Sequence, residues 1–137
     1  MKFWLMKSEP DSYPWAKLVA DGRGAWDGVR NAQAALNLRA MRVGDRAFFY
    51  HSNVGKEIVG AMAIVGAARP DPSDPTGRWV LVDVAPLAPA KTPVTLAQMR
   101  TDKRLAGLLI LRHSRISVSP VGAAEWKHIC RLGGIDA

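Results

Sequence analysis

Six consecutive residues, Trp26-Asp27-Gly28-Val29-Arg30-Asn31, bring together an indole, a carboxylate, a guanidinium and an amide around a glycine that lets the chain turn. A tryptophan set among turn-forming residues is better placed to wall a pocket than to sit in a core. Two further stretches have a similar mixture: Lys7-Ser8-Glu9-Pro10 and Phe48-Phe49-Tyr50-His51-Ser52-Asn53. If the three meet, the chemistry they offer is recognition of a flat, polar ligand, a modified nucleobase first. Trp26 would stack on it, worth about 1–3 kcal/mol for any base, so identity must come from hydrogen bonds. Backbone groups of Lys7 and Ser8, the Asn31 amide and Ser52 can supply them. Asn31 is equally well placed to cap a helix. Tyr50, His51 and Asn53 fill or rim the same site, although His51 is also readable as a satisfied strand histidine. Lys7 and Glu9 are also readable as a surface ion pair worth little. Trp79 is the nearest aromatic for a second wall. Arg30, Arg112, Ser114 and Arg115 are expected at a rim that holds phosphate, with Asp27 or Asp45 as the competing partner of Arg30.

The totals narrow the classes. A chain of 137 residues fits a single domain, 1–137, able to bury roughly 68% of its unfolded surface. Cys130 is the sole cysteine, and the three histidines show no ligand spacing, so neither a disulfide nor a metal site nor a cofactor is expected. No apolar run reaches spanning length, and the apolar N-terminus is too short for a signal peptide. A cytoplasmic protein without a membrane partner is the expectation. The formal charge of +7, spread over scattered arginines, favours a broad phosphate-facing surface. Solubility alone accounts for such a charge equally well.

The elements that must position these residues are legible in outline. Lys2 to Lys7 reads as a strand buried on both faces. A short helix follows Pro10, capped by Asp11 or Ser12, with Pro14 in its first turn. Asn31 to about Met41 predicts a second helix whose buried stripe is Ala34, Leu38 and Met41. Arg46 to Ser52 is the strongest strand, with Phe48 and Tyr50 on one face, Phe49 and His51 on the other, and one face expected in the core. A hairpin at Asn53–Lys56 leads into a return strand, Ile58 to about Ala68, where Gly60 and Gly66 suit bulges. Pro70–Gly77 is a loop, Trp79–Ala85 a strand, and Pro86–Pro93 a proline-rich connection. Thr95 caps a short helix, Leu105–Leu111 holds a helical turn, Arg115–Ser119 makes a last strand, and Gly122 to about Leu132 a last helix. The expected class is α+β, a small mixed β-barrel of about five to six strands with short flanking helices. No GxGxxG, P-loop or GxSxG motif is present.

The succession Met6-Lys7-Ser8-Glu9-Pro10, Trp26 to Asn31, Gly44-Asp45, Phe49-Tyr50-His51-Ser52-Asn53, Ile58-Val59-Gly60, Val82-Asp83-Val84 and Arg115 to Val121 resembles the EVE domain family of the PUA-like superfamily. The match runs from about Phe3 to Trp126. It implies a PUA-like barrel with a pocket for a modified base, modified cytosine in DNA being the usual proposal. It also implies kinship with the YTH domain, a reader of methylated adenine in RNA. That domain's Lys-Ser, cage tryptophan and following asparagine look like Lys7-Ser8, Trp26 and Asn31. Family members often carry an aromatic or proline where Ala32 stands here, and an arginine where Ala35 stands. The loop from Pro70 to Gly77 is shorter than in eukaryotic members and holds no aromatic.

Two functions from different classes follow. The first is a non-catalytic module that binds DNA or RNA carrying a modified base, alone or beside a separately encoded nuclease or repair partner. A methyl pocket would give it only a modest preference, roughly 10–200-fold. The second is a small amidohydrolase acting on an acylated pyrimidine nucleoside, as in ASCH relatives. It would require a desolvated Lys7 to work with Ser8, Glu9 and His51. Alternation along a strand opposes that, because adjacent side chains point to opposite faces.

Overall fold

The computed structural model describes residues 1–113 and 115–137. In chain order the elements are β1 (Phe3–Ser8), α1 (Trp15–Asp21), β2 (Gly24–Trp26), α2 (Ala32–Ala40), β3 (Arg46–His51), β4 (Glu57–Pro70), β5 (Val80–Thr95), α3 (Leu96–Thr101), α4 (Leu109–Arg112), β6 (Val118–Val121) and α5 (Ala123–Gly133), with a 3-10 turn at Lys103–Leu105. The strands form one mixed sheet in the order β2-β5-β4-β3-β1-β6. β1 and β3 run parallel and every other neighbouring pair is antiparallel. The α+β, PUA-like class is as expected, but the sheet is not closed into a barrel: β2 and β6 remain as its two edges. α2 packs against β4, β5 and the edge strand β6. The Asn37 amide fixes it there, donating to the Val118 carbonyl at 2.7 Å.

The sheet has a packed cluster on each face. One contains Trp4, Met6, Trp26, Leu38, Phe49 and Val82; the other contains Leu5, Phe48, Tyr50, Ile58, Trp126 and Ile129. β1 is therefore buried on both sides, as its unbroken apolar run predicts. The same holds for β3, which corrects the expectation of one core face: Phe48 and Phe49 are both fully buried. In β4 the register shifts between Ile58 and Gly60, so Ile58 and Ala61 reach one face while Met62 and Ile64 reach the other. The stretch from Pro86 to Pro93 is not a connection. β5 runs on through it to Thr95, with Pro86 opposite Met62 and Pro89 opposite Gly60. β2 covers only Val82 to Val84, so beyond that point β5 is an edge, and a proline nitrogen facing outward removes no ladder hydrogen bond.

α2 is as predicted, with Ala34, Leu38 and Met41 buried and Asn31 as its cap. Thr95 caps α3, its hydroxyl accepting from Gln98 N–H at 3.1 Å. α1 starts later than expected, after Pro14, and neither Asp11 nor Ser12 caps it. The last strand also starts later, at Val118. Asp45 is a buried brace for this framework. It accepts from the Lys2 and Arg42 N–H groups, both at 3.0 Å, and from the Trp4 indole at 3.1 Å. Burial alone would raise its pKa; those donors outweigh burial and hold it below the ordinary value.

Candidate nucleic-acid interface

β1 ends at Ser8, and the chain folds straight back over its own end. The Glu9 carbonyl accepts from the Ser12 and Tyr13 N–H groups at 2.9 Å each, and the Ser8 hydroxyl donates to the Tyr13 carbonyl at 2.7 Å. This turn places Tyr13 opposite β2, which carries Trp26. A Cβ on Gly24 would collide with the Tyr13 hydroxyl, so a larger residue there would push the tip of that ring aside. Between turn and strand lies a cleft of about 410 Å3. Four of the predicted residues line it: Lys7, Ser8, Glu9 and Trp26. Ser12, Tyr13, Ala25 and Asp27 complete it and were not among the expected residues. Asp27 and Ala25 flank Trp26 in sequence and so were within reach of the motif. Ser12 reads as a helix-cap residue and Tyr13 lies outside the three expected stretches; the Glu9 and Ser8 bonds reveal their placement.

The cleft is backed by an aromatic cluster around Phe49. Trp26 and Trp15 meet that ring edge-on, at centroid distances of 5.3 and 5.4 Å, and Tyr13 meets it at 6.5 Å. Trp26 is held in place and only 6% exposed, so the rim of its indole borders the cleft rather than a fully open face. Burial lowers the pKa of the Lys7 ammonium. Burial raises that of the Tyr13 phenol, and the nearby Asp21 and Asp27 charges add to the effect. The walls thus combine an apolar ring, a partly desolvated cation, a neutral phenol and carboxylates at the mouth.

The turn from Trp26 to Asn31 is secured by a residue more than 40 positions away. Asp71 is 2% exposed and accepts from Gly28 N–H at 2.9 Å and from the Arg30 guanidinium at 3.1 Å. Gly28 adopts φ 75°, where glycine is strongly favoured. Asp71 also accepts from the Ser73 N–H and hydroxyl. Burial opposes its ionisation, but these donors outweigh burial and keep it a carboxylate far below its ordinary range. Arg30 therefore pairs with Asp71, and not with Asp27 or Asp45, and its second nitrogen reaches the Ser73 hydroxyl at 3.0 Å. The 70–77 loop supplies no wall to the cleft. It ties down the turn that does.

The other expected residues lie elsewhere. Tyr50 is buried in the cluster on the opposite face of the sheet. His51 contacts Phe49 edge-on, and its Nε2 accepts from the Trp15 N–H at 3.1 Å, which makes it a structural acceptor with its pKa lowered by burial. Ser52 and Asn53 belong to the β3–β4 turn, with Asn53 at φ 64°. Asn31 caps α2, its Oδ1 accepting from Ala34 N–H at 2.9 Å. Trp79 packs under Arg78, whose guanidinium lies 4.6 Å from the ring centroid, with Arg30 at 6.0 Å. None of these six lines the cleft. Arg112 and Arg115 are exposed, on the segment that leads into β6 beside Lys7, whose N–H donates to the Ser117 carbonyl at 2.8 Å. Ser114 lies outside the described residues.

The comparisons with known proteins agree with this architecture. The EVE domain pattern matches residues 2–132. A protein from Rhodopseudomonas palustris, solved by NMR, is 51% identical and superposes with a TM-score of 0.92, covering 98% of this chain and 94% of that one. Thymocyte nuclear protein 1 from Homo sapiens is 33% identical over 94% of this chain and 72% of its own length. A crystal structure of that human protein in complex with 5-methylcytosine-containing DNA superposes with a TM-score of 0.89 at 32% identity, covering 97% and 98% of the two chains. An ASCH protein from Zymomonas mobilis, 11% identical with a TM-score of 0.57, shares the fold alone. With the family pattern spanning nearly all of its length, this chain belongs to the EVE domain family.

Proposed function

We propose that this protein is a non-catalytic nucleic-acid-binding module that takes a modified base, 5-methylcytosine in DNA first, into the cleft beside Trp26. The observation that carries this reading is the cleft itself. It has a ring fixed edge-on by Phe49, a cation and carboxylates at its mouth, and a volume of about 410 Å3, within the range of small-molecule sites. The human relative crystallised with 5-methylcytosine-containing DNA supports the choice of ligand. The base would enter flipped from a duplex or from a single strand, at a cost of a few kcal/mol. In this reading Lys7, Ser8, Glu9, Tyr13 and Asp27, which line the cleft, would read its edge.

The hydrolase alternative finds little support. It needs a hydroxyl or activated water beside a base. The Ser8 hydroxyl is engaged by the Tyr13 carbonyl, and His51 Nε2 by the Trp15 amide. Fluorescence titration with short DNA and RNA strands carrying 5-methylcytosine, 5-hydroxymethylcytosine or N6-methyladenine tests the proposal. The expected result is a preference of roughly 10-fold or more for one modified base over its plain counterpart. That preference should be lost in Trp26→Phe, which keeps a buried ring. Equal affinity for all bases, or a preference that survives Trp26→Phe, would sink it.

A further inference from the structure

α5 packs Trp126 and Ile129 into the cluster on the sheet face opposite the Trp26 cleft. Ala124, Lys127, His128 and Arg131 lie at intervals of three and four along it, on one side of the helix. The 3-10 turn at Lys103–Leu105 packs alongside and brings Arg104 to the same place. Together these residues border a groove of about 460 Å3. Lys127, Arg131 and Arg104 are all exposed, and Ala124 leaves the groove open.

What sets this groove apart is that three basic side chains from two elements border one depression. Lys17 pairs with Asp21, Arg30 with Asp71, and Arg23 and Arg69 with Asp83. Among the described residues no carboxylate forms an ion pair with Arg104, Lys127 or Arg131. The one acid at the groove, Asp102, is already engaged. Its Oδ2 contacts His128 Nε2 at 2.6 Å and its Oδ1 accepts from the Arg104 N–H at 2.9 Å. Glu125 is turned away to the start of α5, where it accepts from the Gly122 N–H at 3.0 Å. Three cations bordering one groove outnumber the single Asp102 carboxylate beside them, and a bound anion offsets the excess positive charge. Of the residues bordering the groove Ala124 is the sole apolar one, the others being basic or imidazole side chains, and arginine forks match phosphate oxygens.

We propose that this groove is a second, base-independent contact for the sugar–phosphate backbone of nucleic acid; the proposal rests on the reading that the protein binds nucleic acid. One strand would present its base to the Trp26 cleft while a neighbouring stretch or second strand lies along α5. The test is fluorescence anisotropy with unmodified DNA from 50 to 300 mM NaCl, on the full chain and on the triple variant Arg104→Ala, Lys127→Ala, Arg131→Ala. A charge-matched control carries Arg42→Ala, Lys56→Ala and Arg69→Ala. Each phosphate contact contributes about 0.9 to the slope of log affinity against log salt on duplex DNA. The groove variant is expected to lose about 2–3 from that slope, and the control less than 1. The ratio of affinities for modified and plain base should stay as it is in the unaltered protein.

An unchanged slope in the groove variant, or an equal loss in both variants, overturns the groove. If the unaltered protein binds DNA without any base preference while the groove variant still loses its slope, the base-pocket reading fails and the groove stands. If the unaltered protein binds no oligonucleotide at 50 mM NaCl, both fall.

Discussion

The two faces of the sheet are built around aromatic rings in opposite ways. On one face Trp126 lies flat between Phe48, at 3.9 Å, and Phe3, at 4.8 Å, with α5 as a lid along the strands. On the other, Trp15, Trp26 and His51 meet Phe49 edge-on at interplanar angles of 75° to 83°. Flat stacking fills the space between sheet and helix. Edge-on packing around one ring splays the surrounding groups, and α1, with only seven residues, does not cover what they leave open. The cleft lies on that uncovered side. The contrast shows one face filled by stacked rings and the other left with an open cleft.

The largest expected effect comes from cutting each face at its tryptophan. Trp126→Ala removes a ring that is 3% exposed and should cost about 3–5 kcal/mol in urea unfolding. At temperatures where the variant stays folded, its preference between modified and plain base should be intact. Trp26→Ala should cost a comparable amount and abolish the preference as well. A change of preference in Trp126→Ala would mean that the two faces are not separable.

Next in size is the anchor beneath the cleft. Asp71→Asn keeps the shape but removes the charge that holds Gly28 N–H, Arg30 and Ser73. Since Arg30 is partly exposed, the loss should be about 1–3 kcal/mol. Released from Asp71, the Trp26–Asn31 turn should loosen, which hydrogen exchange at Gly28 would register as faster exchange. Base affinity should fall more than affinity for the backbone. The equivalent carboxylate on the sheet's frame, Asp45, gives the control: Asp45→Asn should destabilise without altering the base preference.

Acid should act on the same anchor. Asp74 is held at about 2, against an ordinary value of 3.8, chiefly by the Thr76 hydroxyl and the Trp79 N–H. Asp71 lies lower still. A folded pKa below the unfolded one means that the unfolded chain binds more protons between the two values. Stability from these groups is therefore complete above about pH 4 and is lost as pH falls toward about 2. Asp45, also depressed, adds to the same slope. Denaturation midpoints measured from pH 6 to pH 2.5 should fall steeply below pH 4, and less steeply in a variant carrying both Asp71→Asn and Asp74→Asn. Equal slopes would remove the loop from the account of acid stability.

The parts of this molecule that local chemistry controls are the parts the sequence makes legible. β1 announces itself as an apolar run, α2 by its buried stripe, and Thr95 and Asn31 by the caps they form three residues on. Lys7, Ser8, Glu9 and Trp26, singled out because their types are concentrated in short motifs, do line one cleft. What is not legible depends on distant partners. Asp71 reaches Gly28 across the sheet, and nothing near position 71 records it. The prolines of β5 read as a connection because edge placement, not sequence, makes them tolerable. Strand alternation placed Tyr50 and Phe49 on opposite faces correctly, but could not say that both faces are packed.

The smallest expected effect concerns Asn31, where motif and geometry give different answers. Its Oδ1 accepts from Ala34 N–H, so the cap is occupied, and the side chain does not border the cleft. Asn31→Ala should cost about 1 kcal/mol by loss of the cap. Asn31→Asp keeps an acceptor at the same place and adds a negative charge at the start of α2, which the helix dipole favours. It removes only the amide donor. Stability should therefore be held or slightly raised, and the ratio of affinities for modified and plain base should not move. Weaker binding of every oligonucleotide by a common factor would reflect the added charge near phosphate. Loss of one base in particular would mean that the amide does read an edge, and that α2 moves toward the cleft when the ligand arrives. The Asn31→Asp ratio therefore decides whether the cleft seen here is the whole recognition surface or one wall of it.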